Sequence, residues 1–343
     1  MRPKILLVYT GGTIGMRRHP ETGSLSPLNF DRLLDRVGEL RQLDCDIQHV
    51  SVAAPKDSSE IEAADWIEIR DLIRNNETDY DGFVVLHGSD TMSYSASALS
   101  FLLLGLNKPV IFTGSQLPVG DLRTDAKENL ITSVQIASLR TADNEPVLKE
   151  VGLYFEYKLY RANRSIKLSA EHFEAFSSPN MQPLITAGVH LDYDTRNFIE
   201  TKAIPGIRAL ARIPASVYLL KLHPNISQWA FRLVEQAEGI KTVVLETFGA
   251  GNAMKSKELV RMLQYCQEKG ITVINCTQCA KGSVSMGMYE ASSGFKKFGV
   301  LDGGDMTTEA TLAKAMVLGA LNLEVVDFRK TLISPLCGEI SRN

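Results

Sequence analysis

Two short segments of this sequence place hydroxyl groups and a carboxylate directly after apolar, β-branched runs. They are Thr10-Gly11-Gly12-Thr13-Ile14-Gly15 and His87-Gly88-Ser89-Asp90-Thr91. Because the carboxyl ends of parallel strands open onto one crevice, residues this far apart in sequence can meet there. A hydroxyl becomes a useful nucleophile only beside a base or in a shifted proton equilibrium. Thr13, Ser89 and Asp90 are therefore the groups that could do chemistry.

The glycines of these segments allow the backbone to approach a ligand. Gly11, Gly12, Gly15 and Gly88 are expected to leave N–H groups available for a developing negative charge. A phosphate-binding turn is a competing interpretation, but the first segment lacks G-x-G-x-x-G and no Lys-Ser/Thr pair follows. Ordinary turn and helix-cap chemistry is another, and it would account for either segment alone.

Length and composition indicate a two-domain globular protein. A chain of 343 residues exceeds one usual hydrophobic core. Its formal net charge of −3 argues against a nucleic-acid-binding surface, and its apolar runs are too short to span a membrane. The segment 1–9 is too short for a signal peptide and leads directly into the first glycine turn. We therefore expect a cytoplasmic protein with no nucleic-acid or membrane partner.

The cysteines and histidines favour neither a disulfide framework nor a metal site. There are five cysteines, and the C-x-x-C of Cys276 and Cys279 has no second pair or nearby histidine to complete a zinc site. The run 273–275 marks Cys276 as a strand residue, so we expect buried free thiols. We expect His87 to be a hydrogen-bonded structural residue rather than a base.

Alternating strand-like and helical patterns predict an α/β fold. In the first part of the chain, strand-like runs lie at 4–10, 46–52, 82–88, 109–115 and 150–157, with helical patterns at 63–75 and 126–139. Later, strand-like runs at 216–223, 242–248 and 271–277 alternate with helical ones at 227–238, 256–269 and 307–321. We predict two α/β domains: a larger N-terminal one at 1–190, with a mostly parallel sheet flanked by helices, and a smaller one at 214–343, joined by a linker at 191–213.

Taken together, the two segments closely resemble the paired signatures of the bacterial-type L-asparaginase family. The surrounding sequence is similar to the cytoplasmic type I branch, and the resemblance runs essentially from end to end. It also includes Pro55-Lys56-Asp57-Ser58-Ser59, Thr113-Gly114-Ser115-Gln116, Tyr160-Arg161-Ala162-Asn163-Arg164-Ser165-Ile166-Lys167, Gly249-Ala250-Gly251-Asn252-Ala253 and Asn275-Cys276-Thr277-Gln278-Cys279.

The resemblance implies a threonine nucleophile that forms a covalent acyl-enzyme. Thr13 takes this role. Ser89, Asp90 and Lys167 form a second, triad-like group, in which Lys167 alters the acidity of the Ser89 hydroxyl so that it activates water or shuttles a proton. Without the resemblance, Lys167 would be interpreted as a solvated basic residue. Neither a metal nor an organic cofactor is implied.

The resemblance also implies how a free amino acid is bound. Asp90, beside Ser89, meets its α-ammonium group, Ser58 meets its α-carboxylate, and Asp57 orients both. Asn252 corresponds to a position that reaches the neighbouring subunit's site, although a Gly-Asn pair is also ordinary turn chemistry. A homodimer is then the minimum for catalysis, and two such dimers usually form a homotetramer.

Two departures from the family pattern affect the site. Ser89 stands where threonine is usual, so the hydroxyl remains but the methyl group that restricts χ1 is lost, which predicts looser positioning. Most relatives carry a tyrosine in a mobile flap after the first signature, and Glu21-Thr22-Gly23-Ser24-Leu25 contains none.

A second, regulatory asparagine site of some type I relatives is also altered. Glu246 replaces an arginine and Ile166 replaces a threonine, whereas Thr277 and Cys279 still match. A carboxylate repels a ligand carboxylate, and isoleucine donates no hydrogen bond. We therefore expect a vestigial effector site.

The sequence thus predicts an L-asparaginase that converts L-asparagine and water to L-aspartate and ammonia. A mixed glutaminase-asparaginase would use the same chemistry. A catalytically weak amino-acid-binding protein is the alternative from another class, and the retention of Thr13, Asp90 and Lys167 argues against it.

Overall fold

The computed structural model describes residues 2–18, 25–27, 37–286 and 290–341. The chain divides into two compact units, Met1–Arg208 and Ala209–Asn343. The division falls inside the segment 191–213 that the sequence suggests as a linker, and the start of that segment, Leu191–Tyr193, pairs as a strand of the first unit.

The strands of the first unit are β1 (Lys4–Gly11), β2 (Met16–Arg18), β3 (Leu25–Pro27), β4 (Asp46–Lys56), β5 (Gly82–Leu86), β6 (Val110–Thr113), β7 (Val151–Phe155), β8 (Lys158–Arg161), β9 (Ile166–Lys167), β10 (Phe176–Ser177), β11 (Ile185–Ala187) and β12 (Leu191–Tyr193). Its α-helices are α1 (Ala63–Asn75), α2 (Met92–Leu102) and α3 (Ala126–Ala137). Short 3₁₀ turns lie at Thr13–Gly15, Gly38–Gln42, Ser58–Glu60, Ala162–Arg164, Thr195–Asn197 and Ile207–Ala209.

The large sheet of the first unit has the strand order β12-β11-β8-β7-β6-β5-β1-β4. The neighbouring strands β4, β1, β5, β6 and β7 are parallel, as the alternating pattern predicted. At the other end of the sheet, β8, β11 and β12 each run antiparallel to the strand before them. The direction reverses at the two-residue turn of Glu156 and Tyr157, where both residues have positive φ. Two positive φ values match the twist of a tight hairpin.

Helices cover both faces of this sheet. Ile5–Gly11 of β1 is buried throughout, as expected for a strand with both faces covered. One core cluster joins Leu7, Val84 and Ile111 of the strands with Leu130 and Val134 of α3. The helices α1 and α2 pack together and contact the opposite face of the same sheet.

The second unit is a smaller α/β unit. Its strands are β13 (Val217–Lys221), β14 (Thr242–Thr247), β15 (Thr272–Thr277) and β16 (Leu301–Asp302), which pair in that order and are parallel. Its helices are α4 (Gln228–Gln236), α5 (Lys257–Glu268), α6 (Glu290–Lys297), α7 (Thr308–Gly319) and α8 (Val325–Leu332). A core of apolar residues from α4, α5 and the strands holds it together. No helix in the described part of either unit is long and apolar enough to cross a membrane.

Candidate active site

The carboxyl ends of β1, β4 and β5 meet where the strand order reverses. β1 pairs with β4 on one side and with β5 on the other, so the strands that follow β1 in the chain lie on opposite sides of it. Ligands of open parallel sheets bind in the crevice at such a point. The strand ends are followed, respectively, by Thr13, by Asp57 and Ser58, and by Ser89 and Asp90.

Glycines bring these three strand ends into direct contact. Gly12 has a φ of +83°, and a Cβ atom there would lie 2.4 Å from the backbone nitrogen of Gly88. A Cβ atom on Gly11 would lie 2.1 Å from the carbonyl oxygen of Lys56, and one on Gly88 would lie 2.5 Å from Oγ of Ser58. Larger residues would push the segments apart, so these positions require glycine.

The N–H groups of Gly12 and Gly15 are not available to a ligand. Gly12 N donates to the carbonyl oxygen of Lys56 at 3.2 Å, and Gly15 N donates to that of Gly12 at 3.2 Å. The expectation that they would hold a developing negative charge is therefore wrong for Gly12 and Gly15. The Gly12 donor bonds across to the end of β4, and the Gly15 donor closes the 3₁₀ turn Thr13–Gly15.

Thr13 begins the 3₁₀ turn Thr13–Gly15, directly after β1. Its side chain is half-buried, while Ile14 is fully buried in the core cluster of the large sheet. The turn is thus anchored by its second residue. The flap segment without a tyrosine lies at 21–24, outside the described residues, apart from Leu25 in β3.

Lys167 joins Ser89 and Asp90 into one cluster. It lies on β9, and its Nζ atom is 2.9 Å from Oγ of Ser89 and 2.6 Å from Oδ1 of Asp90. The Lys167 side chain is only 17% exposed, so its interpretation as a solvated basic residue is wrong. The Asp90 side chain is 66% exposed, which leaves carboxylate surface open to an incoming cation.

Asp57 and Ser58 lie in a hydrogen-bonded turn that follows β4. The Asp57 carboxylate accepts hydrogen bonds from the backbone N and Oγ of Ser59, at 2.9 and 2.7 Å, and these bonds lower the pKa of Asp57 below its ordinary value. Ser58 is buried, and its carbonyl oxygen accepts a 2.6 Å hydrogen bond from Oγ1 of Thr91. Asp57 therefore stays ionised and caps the turn that begins at Ser58.

His87 is a hydrogen-bonded structural residue, as predicted from the sequence. It is fully buried, its Nδ1 atom donates to the carbonyl oxygen of Gly88 at 2.7 Å, and its ring packs against Phe112. Burial lowers the pKa of His87 to about 4. The imidazole is therefore neutral near pH 7 and supports the backbone of the second signature.

Gln116 is a site residue to which sequence reasoning gave no role. Its Oε1 atom lies 3.0 Å from Oγ of Ser89. The available signal was its place in the Thr113–Gln116 segment, at the end of β6, the strand next to β5. A contact between two side chains on adjacent strand ends does not follow from either segment alone.

The remaining predicted residues divide between the units. Asn252 lies in the turn after β14, in the second unit, and its Oδ1 atom is buried without a hydrogen-bond partner among the described residues. Ile166 precedes Lys167 on β9 in the first unit. Glu246, Thr277 and Cys279 lie in the second unit, at and beyond the ends of β14 and β15.

The proposed effector residues of the second unit have bonds of their own. Glu246 is buried, accepts a hydrogen bond from Oγ1 of Thr308, and lies 3.5 Å from Nζ of Lys221. Thr277 Oγ1 donates to the carbonyl oxygen of Gly249 at 2.6 Å and accepts from the backbone N of Cys279 at 3.0 Å. These side chains are thus engaged within the unit.

The five cysteines are free thiols. Cys276 is buried, and burial raises the pKa of its thiol to about 12. Cys279 is exposed, so the expectation of buried thiols is right for Cys276 and wrong for Cys279. Cys279 lies two residues beyond the end of β15, so it is outside the buried strand that contains Cys276. In the described part of the chain, no group of three or more His, Cys, Asp and Glu residues is arranged to hold a metal ion.

Fold and site together define a two-unit α/β protein with a hydroxyl, lysine and carboxylate cluster at a strand switch point. The chain belongs to the asparaginase family. The family model described as Asparaginase, N-terminal, matches residues 4–198, and the one described as Glutaminase/Asparaginase C-terminal domain matches residues 216–332. The resemblance seen in the sequence is thereby confirmed.

Individual relatives agree with this assignment. The chain is 38% identical to L-asparaginase 1 of Escherichia coli (strain K12), over 99% of this chain and 98% of the relative. The crystal structure of L-asparaginase I from Vibrio cholerae superimposes with a TM-score of 0.88 at 36% identity and covers 100% of both chains. The thermostable L-asparaginase from Thermococcus kodakarensis superimposes with a TM-score of 0.84 at 27% identity, over 99% of this chain and 100% of that one. These matches confirm the predicted fold class.

Proposed function

We propose that this protein is an L-asparaginase that hydrolyses L-asparagine to L-aspartate and ammonia. The observation that carries the proposal is the hydrogen-bonded cluster of Lys167, Ser89 and Asp90, at a strand end in direct contact with the glycine turn that carries Thr13. The full-length similarity to L-asparaginase 1 supports the same reaction.

The proposed reaction has two halves. In the first, Oγ1 of Thr13 attacks the side-chain amide carbon of asparagine, the C–N bond breaks, and the leaving amine takes up a proton and departs as ammonia. In the second, water attacks the resulting ester, and Thr13 regains its proton as aspartate leaves. The Lys167 cation beside Oγ of Ser89 favours loss of the hydroxyl proton, which allows Ser89 to relay a proton to or from the reacting groups.

The charged groups of the site match a free amino acid. The exposed carboxylate of Asp90 would receive the α-ammonium group, and Ser58 the α-carboxylate. Asp57, ionised at the neighbouring turn, would help to orient both. Asn252 would complete the site of a neighbouring subunit, so we propose a homodimer or homotetramer. We further propose that the protein acts in the cytoplasm, as the type I resemblance implies.

Ammonia release from L-asparagine and L-glutamine, measured in parallel with purified protein, tests the proposal. We expect turnover of asparagine, and an unchanged rate after treatment with a chelator. Comparable rates with both substrates would instead support a mixed glutaminase-asparaginase, which the description of the C-terminal family model permits. Saturable binding of asparagine without ammonia release would refute the proposal and identify an amino-acid-binding protein.

A further inference from the structure

We propose that Gln116 is a positioning residue that fixes the rotamer of Ser89 and, in the substrate-free site, the direction of its hydroxyl proton. The inference rests on the L-asparaginase function proposed above. Oγ of Ser89 lies 2.9 Å from Nζ of Lys167 and 3.0 Å from Oε1 of Gln116. An ammonium group only donates hydrogen bonds, so Ser89 accepts from Lys167 and donates its own proton to Gln116.

The amide of Gln116 can serve this purpose in only one orientation. Its Nε2 atom lies 3.3 Å from the carbonyl oxygen of Ala170 and 3.1 Å from that of His172. Carbonyl oxygens only accept hydrogen bonds, so the NH₂ group must face them and the amide oxygen must face Ser89. A flipped amide would lose both carbonyl contacts and would place a second donor beside the Ser89 hydroxyl.

The backbone of Gln116 is held as firmly as its side chain. Its N–H group donates to the buried carboxylate of Asp125, at 2.9 and 3.1 Å, and the N–H of Leu117 donates to the same carboxylate at 3.1 Å. Asn129, one turn further along α3, donates to the carbonyl oxygen of Gly114 at 3.0 Å. The amide oxygen that accepts the Ser89 proton is therefore held through both the backbone and the side-chain NH₂ group of Gln116.

A fixed acceptor has a particular value beside a serine. The hydroxyl oxygen is the only side-chain heavy atom on Cβ of serine, so χ1 can occupy three staggered wells. A β-branched residue such as threonine is more restricted. The hydrogen bond to Gln116 selects the well in which Oγ also reaches Lys167. Gln116 thus supplies, through a hydrogen bond, the restriction that a methyl group would supply through sterics.

A double-mutant cycle tests this role. Gln116→Met keeps an unbranched side chain of similar length and removes the amide. We expect it to lower kcat about tenfold in the wild-type background with little change in KM, since contacting residues couple strongly. In the Ser89→Thr background the methyl group already restricts χ1. There we expect Gln116→Met to reduce kcat by a factor at least about threefold smaller than in the wild-type background.

Ser169→Ala is the matched control for a merely structural effect. Oγ of Ser169 accepts hydrogen bonds from the backbone N of Glu171 and His172, so the substitution loosens the segment that Gln116 holds without touching Ser89. We expect kcat near that of the wild type. An equal loss for Gln116→Met in both backgrounds, or the same loss in Ser169→Ala, would overturn the proposal.

Crystal structures of the wild type and Gln116→Met provide a readout that needs no substrate. We expect one Ser89 rotamer in the wild type and alternate positions of its Oγ in the variant. A single unchanged rotamer in Gln116→Met would overturn the proposal. If the wild type releases no ammonia, the proposed function fails, and the rotamer comparison still decides the role of Gln116.

Discussion

The side chains of Lys167 and Ser89 form a 2.9 Å hydrogen bond, although 78 residues separate them in the sequence. Ser89 follows the buried strand β5, and Lys167 lies on the short strand β9. The same Nζ atom also donates to Asp90. One cation thus holds a hydroxyl and a carboxylate from adjacent positions at one strand end, and this arrangement distinguishes the site from an ordinary strand-terminating turn.

Lys167→Met should lower kcat by about 10² to 10⁴, because the Ser89 hydroxyl loses the cation that favours release of its proton. The melting temperature should change little, since the ion pair is formed with the largely exposed Asp90 and such pairs contribute at most about 1 kcal/mol. Steady-state ammonia release and thermal unfolding measure the two effects. Lys127→Met is the control, because it removes an exposed ion pair with Glu39 elsewhere in the unit. A kcat close to that of the wild type, together with a lowered melting temperature, would show that Lys167 makes only a structural salt bridge.

Glu156→Gln should change the pH dependence of stability. Burial, together with repulsion from Asp125 and Glu128, raises the pKa of Glu156 to about 7 from an ordinary value of 4.5. The folded state therefore holds a proton that the unfolded state releases, and this stabilisation is present below about pH 4.5 and is lost as the pH rises through 7. The variant should melt at a higher temperature than the wild type at pH 8, and at a similar temperature at pH 5.

Glu145→Gln, at an exposed carboxylate of the same unit, is the matched control for Glu156→Gln and should show no such dependence. Melting curves recorded between pH 5 and pH 8 for the three proteins provide the comparison. A difference between Glu156→Gln and the wild type that stays constant with pH would contradict the assigned cause.

The fold was predictable where the apolar pattern had a clear period. The helical spacing of the apolar residues Trp66, Ile69 and Ile73 predicts a helix at 63–75, and α1 has those bounds; a capping box of Glu62 and Asp65 explains its start. The helix α2 was not predicted, since it is buried on all sides and its serines interrupt any amphipathic period. The strand β8 was not predicted either, because Glu156 and Tyr157, which form the turn before it, are not typical residues of a tight turn.

The candidate site was predictable only in its local parts. Ser89 and Asp90 are adjacent in sequence, so their shared strand end follows from one segment. The partnership of Ser89 with Gln116 depends on the pairing of β5 with β6 and on a side-chain rotamer, neither of which a sequence pattern specifies. The engaged N–H of Gly12 likewise depends on how closely β1 and β4 approach each other.

Asparagine saturation should be hyperbolic, with a Hill coefficient of about 1. The resemblance implies a cation at position 246 to bind an effector's carboxylate, but Glu246 is a buried carboxylate held by Thr308, and the side chain of Ile166 offers no hydrogen bond. A site that does not bind asparagine supplies no coupling between conformational states. Rates over a wide asparagine range, with the oligomeric state monitored in parallel, measure this. Strong positive cooperativity at a constant oligomeric state would show that Thr277, Cys279 and their neighbours bind an effector in another way.

Ammonia release from L-asparagine by the wild type, Thr13→Ala and Thr13→Ser shows whether Thr13 is the nucleophile of an asparagine-hydrolysing enzyme. Thr13→Ala should lose at least about 10³-fold in kcat while still binding asparagine, because the charged groups that hold the substrate remain. Thr13→Ser keeps a hydroxyl and should retain part of the activity. Thermal unfolding should show that both variants are folded. Wild-type turnover by folded Thr13→Ala would exclude Thr13 as the nucleophile.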